Sequence, residues 1–252
     1  MMNTKRSTLL LSFCLLAAAV VTISSSKSAL TDHKPTEVKY PKASAMLSEV
    51  AMNTYLHCNL SQAELDSNVF KKACIGFFNL KARGKVAPSP AILTIADLSL
   101  SSKKKRLWVI DLEHQRLLMH TWVAHGQGSG GDIATQFSND NESHQSSLGF
   151  YVTGEVYQGK HGRSLRLDGM DKGFNDHARE RAIVLHGAPY VSGQAIRNLA
   201  RLGRSFGCPA VPTALSDQII NLIKGKTVLF VYAKTADYRS AYLDENAANN
   251  LL

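Results

Sequence analysis

The sequence of 252 residues lacks the signatures of several functional classes. It contains no internal repeat and no nucleic-acid-binding motif, and its one basic run, residues 103–106, lies in a predicted hairpin turn. No two of its 9 histidines have the spacing that places two ligands on one helix face, and no Cys/His cluster accompanies them. We therefore predict neither a nucleic-acid partner nor a metal site.

The glycine-rich segment 125–131, which begins at His125, lacks two further signatures. It does not end in the Gly-Lys-Ser/Thr that places a lysine on a phosphate, and it does not contain the Gly-x-Ser-x-Gly of a nucleophile elbow. We interpret this segment as a flexible loop beside an active cleft, with a plain structural turn as the alternative.

The N-terminus has the pattern of a secretory signal peptide over residues 1–26. Lys5 and Arg6 precede an apolar run over residues 9–23, and three serines then offer a cleavage site. The run is short for a transmembrane helix, which needs about 20 residues. We therefore predict export to the periplasm or cell envelope, with an uncleaved inner-membrane anchor as the alternative. The formal net charge of +9 favours anionic envelope surfaces.

Cysteine is scarce, with 4 residues in the chain. Removal of Cys14 with the signal peptide leaves Cys58, Cys74 and Cys208, and an odd count in an oxidising compartment leaves one thiol unpaired. Because Cys58 and Cys74 lie close together in a segment of helical pattern, we predict a disulfide between them and a free Cys208. Two buried free thiols are the alternative.

Residues 27–40 are predicted to form a linker and residues 41–87 a short N-terminal helical segment. Within that segment, the Ser61-Gln62-Ala63-Glu64 sequence is typical of a capping box that opens a second helix. From residue 91 the hydrophobic period changes to that of strands, over 92–97, 107–112, 117–123, 148–156, 164–167, 182–186 and 227–232. Helical patterns return at 193–202 and 213–224, and residues 236–252 form a C-terminal tail.

This order of elements predicts a mainly β catalytic domain over residues 88–235 with two late helices. The arrangement favours a β-sandwich or an open barrel over a doubly wound α/β sheet.

Two residues, Cys208 and His186, carry the chemistry. Cys208 lies in a Gly/Pro turn, and His186 ends an apolar run that predicts a strand. A thiol attacks carbonyl carbon as thiolate, so a nucleophilic cysteine needs a base, and His186 would accept its proton. The Gly187 carbonyl and the Ser205 hydroxyl are alternative groups for orienting the imidazole. The N–H groups of Gly207 and Cys208 are the predicted oxyanion donors.

These residues give the chain a specific resemblance to the murein L,D-transpeptidase catalytic domain family, of the YkuD type. In that family a His-Gly strand end precedes a Ser-x-Gly-Cys element that carries the nucleophile, here His186-Gly187 and Ser205-Phe206-Gly207-Cys208. The resemblance covers about residues 88–235. Further matches in order are the segments 123–130, 137–139, 146–151, 164–169 and 173–175.

The resemblance implies that peptidoglycan stem peptides are the substrates. Such an enzyme attacks the amide after the third residue of a stem tetrapeptide, expels D-alanine and transfers the resulting thioester to the amine of a neighbouring stem. Water as acceptor would make the enzyme an L,D-carboxypeptidase, and other members attach proteins to murein or cut those attachments. No metal or organic cofactor is implied. A non-catalytic envelope-binding protein on the same scaffold is the third interpretation.

Two positions depart from the commoner branches of the family. Phe206 replaces a histidine before the Gly-Cys pair, and Ala210 replaces a substrate-holding Arg or Asn. Substrate recognition must therefore come from elsewhere in the chain. We predict substrate-binding roles for residues close to the motifs in sequence: Arg166, Arg181, Arg204, Tyr157 and Phe174.

Overall fold

The computed structural model describes residues 43–249. The predicted signal peptide and linker lie outside the described residues. The helices are α1 (Ala43–His57), α2 (Ser67–Ala82), α3 (Gly193–Leu199), α4 (Thr213–Ile223) and α5 (Glu245–Asn249). The strands are β1 (Ile92–Asp97), β2 (Leu107–Asp111), β3 (Arg116–Thr121), β4 (Gly149–Gly159), β5 (Gly162–Gly169), β6 (Val184–Ala188), β7 (Ala210–Pro212) and β8 (Val228–Tyr232).

The eight strands form one mixed sheet in the order β3-β2-β1-β8-β4-β5-β6-β7. Most neighbours are antiparallel, whereas β1 pairs with β8 and β6 pairs with β7 in parallel. A bridge between Ala124 and Ala210 joins the segment after β3 to β7 at the other end of the order. The sheet therefore curls into a nearly closed barrel, which confirms the mainly β prediction and, of the two architectures considered, the open barrel.

The N-terminal helical segment shares a hydrophobic core with the sheet. Phe70 and Phe77 of α2 belong to the same buried cluster as Phe150 and Phe230. The buried Trp108 of β2 donates its indole N–H to the carbonyl of Ala63, 2.8 Å away, so that the turn before α2 is also tied to the sheet. Burial of these aromatic side chains joins the helical segment and the sheet into one folding unit.

The predicted capping box was wrong. Ser61 and Glu64 lie in a run of turns, and Glu64 has a φ of 56°, which a helix interior does not allow. The second helix starts at Ser67 instead, and Asp66 caps it by accepting hydrogen bonds from the N–H groups of Asn68 and Val69. The Ser-x-x-Glu spacing was present, but the chain reverses there before the helix begins.

The predicted Cys58–Cys74 disulfide is not formed, because both residues are buried free thiols in the structure. They fill the core between α1, α2 and the sheet, where a thiol packs as a small apolar side chain. Burial raises the pKa of Cys74, and the neighbouring Cys58 raises it further. Both thiols are therefore neutral, which agrees with the alternative of two buried free thiols.

Candidate active site

Ser205 organises the turn that carries Cys208. Its hydroxyl accepts a hydrogen bond from the Gly207 N–H at 3.1 Å and donates one to the Cys208 carbonyl at 2.6 Å. Gly207 has a φ of 122°, and a Cβ there would lie 2.9 Å from the carbonyl oxygen of Gln145. A glycine is required at this position, and β7 follows the turn two residues after Cys208.

The Cys208 thiol is half-buried against the chain that enters β6. Its Sγ accepts a hydrogen bond from the Val184 N–H at 3.4 Å and lies 3.8 Å from the Ala182 carbonyl. Burial raises the pKa of the thiol, while the Val184 N–H and the positive charges of Arg181 and Lys160 partly oppose that effect. Cys208 therefore rests as a neutral thiol and needs a base to become a nucleophile.

His186 lies in β6, which pairs in parallel with β7. It stands opposite Ala210 in the register, and its N–H is bonded to the Pro209 carbonyl. Its ring Nδ1 lies 3.0 Å from the Gly187 carbonyl oxygen. A carbonyl only accepts, so Nδ1 carries the proton and Nε2 keeps its lone pair. Burial lowers the pKa of His186; the hydrogen bond to the Gly187 carbonyl opposes this, the charges of His161 and Lys160 add to the lowering, and the net effect favours the neutral, basic form.

Cys208 and His186 line the same cavity, of about 590 Å³, which we call the Cys208 cavity. Of the predicted substrate-binding residues, Tyr157, Arg181 and Arg204 also line it. The charged side chains of Lys160, Arg181 and Arg204 outnumber the one acidic lining residue, Glu142. The cavity is therefore electropositive and suits an anionic ligand.

Arg166 and Phe174 do not line the Cys208 cavity. The Arg166 guanidinium pairs with Glu155 at 2.9 Å and lies over the Tyr157 ring. Phe174 contacts Tyr238 and lines a second cavity, of about 430 Å³. Proximity to the motifs in sequence suggested both residues, but Arg166 of β5 is engaged by Glu155 and Tyr157, and Phe174 follows β5 at the second cavity.

The polar groups around Cys208 and His186 differ in their hydrogen-bond partners. The Gly187 carbonyl holds the imidazole, whereas the Ser205 hydroxyl is committed to its own turn. The Gly207 N–H is likewise committed, because it donates to Ser205. Of the two predicted oxyanion donors, the Cys208 N–H is the one not bonded to Ser205, and it lies beside its own sulfur, where it lowers the pKa of the thiol.

Sequence reasoning missed Tyr190, Lys160 and His161 as lining residues of the cavity. Burial raises the pKa of Tyr190 to about 12, and Cys208 adds to the effect. A Cβ on Gly203 would lie 2.4 Å from that of Tyr190, so the Gly203 position is shaped around the tyrosine. The position of Tyr190 shortly after the His-Gly pair was the one signal available in the sequence.

The glycine-rich segment at His125 lies beside the nucleophile turn. The Ser205 N–H donates to the His125 carbonyl at 3.0 Å, and the Gln127 N–H donates to the Ser205 carbonyl at 2.8 Å. Arg181 donates to the carbonyls of Ser138 and Gln145, and the Gln145 carbonyl is the one that a Cβ on Gly207 would approach. Fixed backbone bonds therefore hold this segment to the turn, where we had predicted a flexible loop.

Within residues 43–249, no group of three or more His, Cys, Asp or Glu side chains is placed to hold a metal ion. In the same range, no helix has the length and apolar character needed to cross a membrane.

Comparison with solved structures shows distant similarity. The chain is similar to an L,D-transpeptidase from Mycobacterium smegmatis, with 11% identity and a TM-score of 0.35 over 56% of this chain and 58% of that chain. It is also similar to the helical cell shape determining protein Pgp2 from Campylobacter jejuni, with 14% identity and a TM-score of 0.39 over 70% of this chain and 61% of that one. The chain thus spans less than two thirds of either protein.

Comparison with protein families gives a direct match. No curated protein matches the sequence. The YkuD_2 family model, described as the L,D-transpeptidase catalytic domain, matches residues 61–232, which is more than half of the chain and includes both Cys208 and His186. The match begins before α2, in agreement with the core that the helical segment shares with the sheet. The chain belongs to the L,D-transpeptidase catalytic domain family.

Proposed function

We propose that the protein is an exported cysteine acyl transferase that cross-links peptidoglycan stem peptides. The observation that carries this proposal is the placement of the Cys208 thiol and the basic His186 ring on one electropositive cavity. Family membership supports a peptidoglycan transpeptidase-type function. The predicted signal peptide supports a location in the periplasm or cell envelope.

In the first half-reaction, His186 Nε2 takes the thiol proton while Sγ attacks the carbonyl carbon of the third stem residue. The Cys208 N–H donates to the oxyanion of the tetrahedral intermediate. The C–N bond then breaks, the imidazolium returns its proton to the leaving nitrogen, and D-alanine departs from a thioester on Cys208.

In the second half-reaction, the side-chain amine of a neighbouring stem attacks the thioester carbonyl. His186 takes a proton from that nitrogen, the C–S bond breaks, and the proton passes to the sulfur. The products are a new amide between the two stems and the original thiol. Because the two half-reactions share one base, loss of Nε2 should stop both.

Substrate recognition falls to the cations of the Cys208 cavity. Arg181 and Arg204 are fixed by hydrogen bonds to backbone carbonyls, and Lys160 stands at the cavity without such a constraint. Stem peptides carry carboxylates, and a cationic cleft attracts them through long-range electrostatics. These three cations take the place of the Arg or Asn that the commoner branches of the family have at the position of Ala210.

The test is intact-mass analysis of the mature protein incubated with disaccharide-tetrapeptide muropeptides, with Cys208→Ala as the matched control. We expect a thioester adduct on the unmodified enzyme, cross-linked dimers, and neither product with the variant. An adduct with tripeptide alone would instead establish an L,D-carboxypeptidase. Murein binding that is equal in both proteins, with no adduct, would establish a binding protein. N-terminal sequencing of exported material locates the signal cleavage.

A further inference from the structure

The hairpin between β4 and β5 reaches over the catalytic histidine. His161, at the tip of this hairpin, stacks on His186 with ring centroids 4.3 Å apart and an interplanar angle of 19°. His186 is 1% exposed, whereas His161 is exposed to solvent. His161 therefore forms an outer cover on the face of the His186 ring.

We propose that His161 is a positioning residue whose stacked ring fixes His186 in the orientation that presents Nε2 to the Cys208 cavity. This inference rests on the proposed function, in which His186 is the base. The Gly187 carbonyl holds His186 at one ring atom, Nδ1, and a single hydrogen bond permits rotation about its own axis. A ring laid flat against the imidazole removes that freedom, because tilting would drive the two rings together.

The stack also determines the charge state of the base. His161 excludes water from one face of His186, and when protonated it places a second positive charge against the ring. Both effects oppose protonation of His186. The charged and titratable groups around His186 are Lys160 and His161 from the hairpin, Cys208 from the nucleophile turn, and Glu142, His144, Arg181, Tyr190 and Arg204 from the other walls of the cavity.

This arrangement has a functional consequence on acidification. A neutral His186 is the competent base, so a lowered pKa extends activity toward lower pH. Removal of His161 should let water reach the ring and should remove the opposing charge. The pKa of His186 should then rise toward its ordinary value, and the acidic limb of kcat/KM should move to higher pH with it.

The experiment compares His161→Ala and His161→Phe in the full protein. A matched control is His120→Ala, because His120 also stacks on an aromatic ring, that of Trp108, with centroids 5.2 Å apart, but lies outside the Cys208 cavity. The measurements are kcat and KM across pH on tetrapeptide substrate, and an NMR titration of the His186 ring that requires no turnover.

For His161→Ala we expect about a ten-fold fall in kcat with little change in KM, and a higher His186 pKa. His161→Phe should restore kcat, because it keeps a stacked ring, while its His186 pKa should lie between the other two. His120→Ala should match the unsubstituted protein in both measurements.

An unchanged kcat and an unchanged His186 titration in His161→Ala would overturn the proposal. It would also be overturned if His161→Phe were as impaired as His161→Ala, since the stack would then not be the cause. If the unsubstituted protein has no activity on tetrapeptide, the proposed function fails, while the titration still reports whether His161 acts on His186.

Discussion

Two histidines of this protein lie in the same sequence context but in different surroundings. His125 and His186 are each followed by glycine and preceded by a small or aliphatic residue, and each is 1% exposed. His186 lines the Cys208 cavity. His125 is enclosed by the buried Arg106 and by the glycine-rich segment that braces the nucleophile turn.

Their hydrogen-bond partners impose opposite tautomers. Arg106 donates to His125 Nδ1 at 2.7 Å, and because a guanidinium has no acceptor, the proton of that ring must be on Nε2. The Gly187 carbonyl near His186 Nδ1 requires the proton there instead. The Nδ1 lone pair of His125 is therefore occupied by Arg106, whereas His186 carries its proton on Nδ1 and its lone pair on Nε2.

The pKa shifts reinforce this division. Burial lowers the pKa of His125 to about 4, and the Arg106 charge is the next cause. The pKa of His186 is also lowered, first by burial. Two histidines with the same His-Gly context therefore differ in their surroundings: His186 lines the Cys208 cavity with a carbonyl at its Nδ1, whereas His125 has a guanidinium at its Nδ1.

The largest difference should appear when each ring is replaced by an amide. His186→Gln should lower the rate of tetrapeptide consumption by about 10³-fold, because the amide cannot accept and return a proton. His125→Asn keeps an acceptor for Arg106 and should retain activity within about ten-fold. The rates are measured by chromatography of muropeptides. Equal losses in the two variants would contradict the division of roles.

A second difference lies in stability against pH. An unfolded histidine titrates near 6.5, whereas folded His125 titrates at about 4. Between these values the unfolded chain binds a proton that the folded chain excludes, so stability falls as the pH drops from about 6.5 to about 4. The loss from His125 is about 3 kcal/mol.

Urea unfolding at several pH values tests this prediction, with His125→Asn as the comparison. The carboxyl groups contribute equally to both proteins, so the difference between the two curves isolates His125. Parallel curves would show that His125 does not resist protonation in the folded protein.

A smaller effect is expected for the partner of His125. Arg106 is fully buried and donates to the Val123 and Leu100 carbonyls as well as to His125. Arg106→Lys keeps the charge but loses the planar fork, and should cost about 2 kcal/mol of unfolding free energy. Chemical denaturation measures this cost. A stability equal to that of the unsubstituted protein would mean that the fork is not needed.

Much of the barrel could be predicted from the sequence, because apolar strands and turn residues are local signals. The strands expected at 92–97 and 227–232 are found at Ile92–Asp97 and Val228–Tyr232. The start of α2 was misplaced because the capping-box spacing at Ser61 does not report the reversal of the chain that follows. The disulfide prediction failed because counting cysteines does not reveal that both thiols are core side chains.

The sequence by itself determined the strand pattern, the glycine turn that carries Cys208, and membership of the family, since each depends on residues that are adjacent or regularly spaced. Only the tertiary structure decided what surrounds each functional group. It placed Arg204 at the Cys208 cavity and Arg166 outside it, and it paired His125 with a buried arginine while placing His186 on the cavity that Cys208 also lines. Burial and hydrogen-bond partners arise between segments far apart in the chain, and they fix the tautomer and pKa that no local pattern encodes.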